Sequence, residues 1–108
     1  METTSSRTAE ALVVRPVGRI DETRWEAFRD ALTAALAEAR AAGLALIIDL
    51  GAVPYMSSRG LRVLTIARRE AGESGTPIAL ACPSAPMREI LAISRYDRIF
   101  DIRETIQR

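Results

Sequence analysis

From Ala11 onward, short apolar runs alternate with longer stretches whose apolar residues recur at helical spacing. ALVVRPV, Ala11 to Val17, is β-branched and predicts a strand, with Pro16 marking an edge or the strand's end. GRID at residues 18–21 leads into a helix whose stripe runs through Trp25, Phe28, Leu32, Leu36 and Ala39 towards Ala42. Thr23 followed by Glu26 has the form of a capping box, Asp21 is a competing cap, and Gly43 supplies the stop. LALIIDL, Leu44 to Leu50, is nearly continuous apolar sequence, the pattern of a strand covered on both faces. A second helix is predicted from Ser58 to Ala71, carried by Leu61, Leu64, Ala67 and Ala71 and widened by Val63 and Ile66. Gly72 and Gly75 bracket its exit.

Pro77 to Cys82 reads as another short buried strand. Ser84 caps a helix bearing Met87, Ile90 and Leu91, with Pro86 tolerated in its first turn. Arg98 to Ile102 is expected as a last strand and Glu104 onward as a terminal helical turn or two. The polar residues 1–8 are expected to be a flexible segment or a weak edge strand, with residues 9–108 forming one domain. Strand alternating with helix predicts an α/β domain with parallel neighbours and right-handed crossovers. Sites in such sheets gather outside the carboxyl ends of the strands. The loop after strand Leu44–Leu50, with Ser57 and Ser58, sits there, and Asp21 shares that rim if the two strands are parallel.

Composition narrows the chemistry. All the basic residues are arginine; His and Lys are absent, and Cys82 is the single cysteine. This excludes His-dependent triads, lysine Schiff bases, zinc sites built from several Cys or His ligands and an intramolecular disulfide. Cys82 ends an apolar run and is expected to be a buried structural thiol. Asp21 and Asp49 can be read as a carboxylate pair for a metal or for acid/base work, but capping by Asp21 and strand-end hydrogen bonding by Asp49 fit their positions better. Neither an enzyme, a metal nor a cofactor is expected. A net charge of +1 with 5% aromatic residues gives no clustered cationic surface or stacking platform, so no nucleic acid is expected either. No apolar stretch nears the roughly 20 residues of a membrane span. The polar start METTSSRTAE lacks the form of a leader, so cytoplasmic residence without membrane insertion is the expectation.

Three separated motifs resemble the signature of STAS domains, named for sulfate transporters and anti-sigma factor antagonists. GRID is similar to the family's Gly-x-Leu/Ile-Asp. Asp49-Leu50 with Val53, Met56, Ser58, Gly60 and Leu61 resembles its central motif, and ILAISRYDRIFDI at residues 90–102 its closing helix-turn-strand. The resemblance implies a single STAS-type α/β domain: a mixed, mostly parallel sheet of four or five strands flanked by about four helices. It also implies a bacterial anti-sigma factor antagonist that works by partner switching. The unmodified domain would bind an anti-sigma factor serine kinase, phosphorylation would release it, and a metal-dependent serine phosphatase would reverse the change. The family's phosphoacceptor falls on Ser58. Ser57 stands where many members carry Asp, which makes it a rival acceptor and also admits a member that is never phosphorylated. The alternative reading is an accessory STAS subunit of a membrane lipid-transport ATPase complex.

The partner-facing set implied by these motifs is Asp21, Tyr55, Met56, Ser57, Arg59, Gly60 and Arg62. About half of Val53–Met56 should be core and the remainder a contact patch. Trp25 and Phe28 are assigned to the core, and Arg68 and Arg69 to a solvated helix end that offsets the helix dipole. Arg59 and Arg62 can tolerate a phosphate at the helix start, so modification should act at the interface and leave the fold intact.

Overall fold

The computed structural model describes residues 1–106, and the helices begin where their apolar stripes begin. The elements in chain order are β1 (Glu2–Arg7), β2 (Ala11–Val17), α1 (Trp25–Ala42), β3 (Ala45–Asp49), α2 (Ser58–Ser74), β4 (Ile78–Ala81), α3 (Ala85–Ile93) and β5 (Ile102–Arg103). A 3-10 turn at Tyr96–Arg98 precedes β5. The strands lie in sequence order in one sheet. β1 pairs antiparallel with β2, and every later pairing is parallel. Pro16 sits beyond the part of β2 that pairs with β3, so its missing N–H costs that ladder nothing.

Side-chain alternation sorts the core. Leu12 and Val14 of β2, Leu46 and Ile48 of β3, and Leu80 of β4 point to one face. There they meet Phe28, Leu32, Leu36 and Ala39 of α1, Val63, Leu64, Ala67 and Ala71 of α2, and Met87 and Leu91 of α3. The other face is a smaller patch of Ala11, Val13, Ile47 and Ala81, with Ala45, Cys82 and Ile106 packed against it. Both faces of β3 are therefore covered, as its unbroken apolar sequence requires.

Several expectations change in detail. Three α-helices and one 3-10 turn flank the sheet among the described residues, in place of about four helices. The Thr23–Glu26 box does not form. Thr23 donates both its N–H and its hydroxyl to Asp21 Oδ1, at 3.0 and 2.8 Å, so its oxygen is not turned towards the helix. The Asp21 carbonyl instead accepts from the N–H groups of Arg24 and Trp25. Trp25 packs against the core but is only half-buried, with the guanidinium groups of Arg29 and Arg59 each 5.3 Å from its ring. α2 runs on to Ser74, so Arg68 and Arg69 lie short of its last turn and do not offset its dipole.

The last strand is also shorter than expected. Arg95 takes a left-handed conformation with φ +64° and the chain winds into the 3-10 turn, which delays β5 to Ile102. Residues 104–106 form no helix, and the rest of the expected terminal turn, residues 107–108, lies outside the described residues. Cys82 is half-buried rather than buried. Desolvation first, then the Asp49 and Glu104 carboxylates, push its thiol pKa up, away from the thiolate form. Among the described residues no helix is long and apolar enough to cross a membrane.

Phe28, fully buried where α1 meets the sheet, should be the costliest single truncation in α1. Phe28→Ala is expected to lower stability by about 3–5 kcal/mol, read from urea unfolding.

Candidate functional site

The parallel pairing of β2 with β3 brings their carboxyl ends to one rim, where two loops run side by side. The chain leaving β2 is stitched to residues 52–57 by backbone hydrogen bonds. Gly18 N–H donates to the Ala52 carbonyl at 2.9 Å, Ile20 N–H to Tyr55 at 2.9 Å, and Ser57 N–H to Ile20 at 2.8 Å. Ile20 and Met56 form an isolated parallel bridge at the centre of this contact. The side chains of Ile20, Val53 and Met56 are buried beneath it, whereas Tyr55 is half-buried and Pro54 exposed.

Gly60, in the first turn of α2, lets the helix press against this stitched pair. A Cβ at that position would lie 2.5 Å from Met56 Cγ and 2.9 Å from Ile20 Cγ2, closer than real carbon contacts allow. The glycine is thus required by close approach rather than by an unusual backbone angle.

The two serines then divide their roles. Ser57 is the N-cap: it is buried, its Oγ accepts the Gly60 N–H at 3.3 Å, and its carbonyl accepts the Leu61 N–H. Ser58 is the first helical residue, exposed, with no side-chain hydrogen bond among the described residues. The cap at the helix start therefore belongs to Ser57 and leaves the Ser58 hydroxyl unencumbered. Its flanks are polar. Arg59 reaches Glu22 at 3.4 Å, Arg62 is exposed, and the Arg19 guanidinium lies 4.4 Å from the Tyr55 ring centroid. Asp21 stands on the same rim. Hydrogen bonds from the Thr23 hydroxyl and then its N–H hold the carboxyl below the usual range, so it is an anion at neutral pH.

Of the implied contact set, Asp21, Tyr55, Arg59 and Arg62 reach the surface. Met56, Ser57 and Gly60 are buried and shape the rim from below; their place in a partner-facing set is revised accordingly. Asp49 lies on the other sheet face, where it accepts from the Gly51 N–H at 2.8 Å and pairs with Arg15 at 3.6 Å. Strand-end bonding is its role. No group of three or more His, Cys, Asp or Glu side chains converges to hold a metal among the described residues. Sequence reasoning missed Arg19 and Glu22, which brace Tyr55 and Arg59, and Tyr96, whose hydroxyl lies 2.6 Å from Thr65 Oγ1 on α2. The spacing of Ser58, Arg62, Thr65 and Arg69 on one helix side was a usable signal. Nothing local announced Tyr96.

Gly60→Ala is expected to destabilise by about 1–3 kcal/mol in urea unfolding, because Met56 and Ile20 must yield. Met56→Ala should then cost less in that background than alone, since it removes the clash. Ser57→Ala should lose about 1 kcal/mol as a missing N-cap. Ser58→Ala, an exposed change, should stay within about 0.5 kcal/mol of wild type.

The STAS domain family model matches residues 2–108. A STAS-domain containing protein of Pseudomonas aeruginosa (strain UCBPP-PA14) is 32% identical over 97 residues, covering 90% of this chain and 92% of the relative. Among solved structures, an anti-sigma factor antagonist from Mycobacterium paratuberculosis superposes with TM-score 0.83 at 25% identity, covering 97% of this chain and 86% of that one. The anti-sigma factor antagonist SpoIIAA in its unphosphorylated form gives TM-score 0.74 at 20% identity, over 96% of this chain and 89% of its own. SpoIIAA of Bacillus in the phosphorylated form gives 0.67 at 21%, over 96% and 92%. With the rim and its serine pair in place, the chain belongs to the STAS domain family.

Proposed function

We propose that this chain is an anti-sigma factor antagonist that works by partner switching, with Ser58 as its phosphoacceptor. The observation that carries the reading is the division of labour at the start of α2. Ser57 is buried and its oxygen is committed to the Gly60 N–H, whereas Ser58 is exposed one residue later. A kinase can reach Ser58 without unfolding the cap, and Ser57 only by breaking it. The likeness to a solved anti-sigma factor antagonist supports the class of partner.

The switch follows from local electrostatics. A phosphate adds about −1.5 to −2 charges and three acceptor oxygens. The N-terminus of α2 has no acidic residue in its first turn and carries Arg59 and Arg62, so the fold accommodates the anion. A partner packed over Ser58, Tyr55 and Asp21 would instead meet new bulk and a charge that needs water. A loss of about 3 kcal/mol at that interface weakens binding more than a hundredfold. In this reading the unmodified chain binds an anti-sigma factor serine kinase, phosphorylation releases it, and a metal-dependent phosphatase resets the pair.

Incubation with the serine kinase of the same genome and ATP, followed by intact-mass analysis, should add one phosphate to the wild type and none to Ser58→Ala. Ser58→Ala should keep its affinity for the kinase, and Ser58→Asp should lose it. Equal labelling of Ser58→Ala would move the acceptor elsewhere. No labelling, together with a stable complex with an ABC-type ATPase, would put the accessory-subunit reading in its place.

A further inference from the structure

Ser58 is one end of a longer feature. Together with Arg59, Arg62, Thr65, Ile66 and Arg69 along α2, and with Tyr96 facing them, it lines one open groove. From Arg59 to Arg69 the arginines span about 15 Å at the rise of an α-helix. No Asp or Glu lines this groove. With 15 basic and 14 acidic residues in the chain, that is a local sorting of charge and not a consequence of composition.

Outside the groove, Arg7, Arg15, Arg29, Arg88 and Arg103 each have a carboxylate within ion-pair distance, whereas Arg19, Arg24, Arg40, Arg68, Arg95 and Arg98 have none among the described residues. What sets the groove apart is that three arginines share one face whose lining holds no carboxylate. Arg62 and Arg69 have none among the described residues. Arg59 has Glu22 at 3.4 Å, but both side chains are more than half exposed, and such a surface pair is easily exchanged. The groove also offers apolar surface from Ile66 and a hydroxyl pair, Thr65 with Tyr96, able to donate or accept.

We propose, resting on the partner-switching reading, that this arginine face receives an acidic segment of the partner protein, which a phosphate on Ser58 evicts by taking Arg62. Planar guanidinium groups pair with carboxylates in two-pronged fashion, and the spacing suits carboxylates on successive turns of a helix or along about five extended residues. Ser58 and Arg62 stand four residues apart on one helix side, the separation at which helical side chains meet. A phosphate there withdraws one cation from the groove and adds like charge beside the incoming carboxylates. Nucleic acid fits the groove less well. Its one aromatic residue, Tyr96, is stacked on Phe100 at 6.1 Å with its hydroxyl held by Thr65, so it is a poor platform for a base.

The test uses the full chain and fluorescence anisotropy with three labelled probes: a short helical peptide with glutamate at every third or fourth position, its glutamine counterpart, and an oligouridylate. The glutamate peptide should bind, more weakly as salt rises, and the glutamine peptide should not. Arg62→Glu with Arg69→Glu, and separately phosphoserine installed at position 58, should each weaken glutamate-peptide binding by at least about tenfold. Arg7→Glu with Arg40→Glu, the same charge change away from the groove, should not. Circular dichroism of each variant confirms folding, which surface changes leave intact. Equal binding by the groove variant, no effect of the phosphoserine, or tighter binding of the oligouridylate overturns the proposal. No kinase enters this assay, so its failure leaves the Ser58 labelling result standing, and the reverse.

Discussion

The rim of this domain depends on one backbone contact, the stitching of residues 18–20 onto residues 52–57. The Ile20–Met56 bridge fixes how far the loop after β3 can move. Gly60 then admits α2 so close that no side chain would fit between. Because interiors are close-packed, shifting any of these parts displaces the others. The same contact aims the helix start: with Ser57 N–H bound to the Ile20 carbonyl, the cap is buried and the next residue is turned outward. Exposure of Ser58 is thus a product of core geometry.

That arrangement separates the cap from the exposed hydroxyl. The cap that holds α2 and the hydroxyl open to modification are different residues, so chemistry at one need not disturb the other. Had the exposed serine also been the cap, phosphorylation would have removed the hydrogen bond that the helix start uses. The charges around the site follow the same logic. Asp21, held ionised by Thr23, and Arg59, Arg62 and Arg69 of α2 lie at the surface, so they carry none of the desolvation cost of a buried ion.

The alternation of strand and helix was legible because each element carries its own period. The α1 stripe from Phe28 to Ala39 and the continuous apolar β3 allowed few other readings. Local signals failed where several local options competed. Thr23 could cap a helix or bond its neighbour Asp21, and the sequence does not rank these choices. β5 begins later than the pattern predicts because Arg95 enters a left-handed turn, which no glycine or asparagine there announces. Trp25 joins the core expected of it on one side only, because at the start of α1 its ring also lies between two arginines.

Sequence alone determined the α/β architecture, the three family motifs in order and the adjacent serines at the start of α2, since periodicity and residue type are properties of short stretches. Tertiary structure decided the choice of outward-facing serine, the burial of Met56 and Gly60, and the convergence of Tyr96 with the arginines of α2 into one groove. Those outcomes depend on contacts between residues far apart in the chain, here between Ile20 and Met56 and between Thr65 and Tyr96, and no local pattern encodes such a distance.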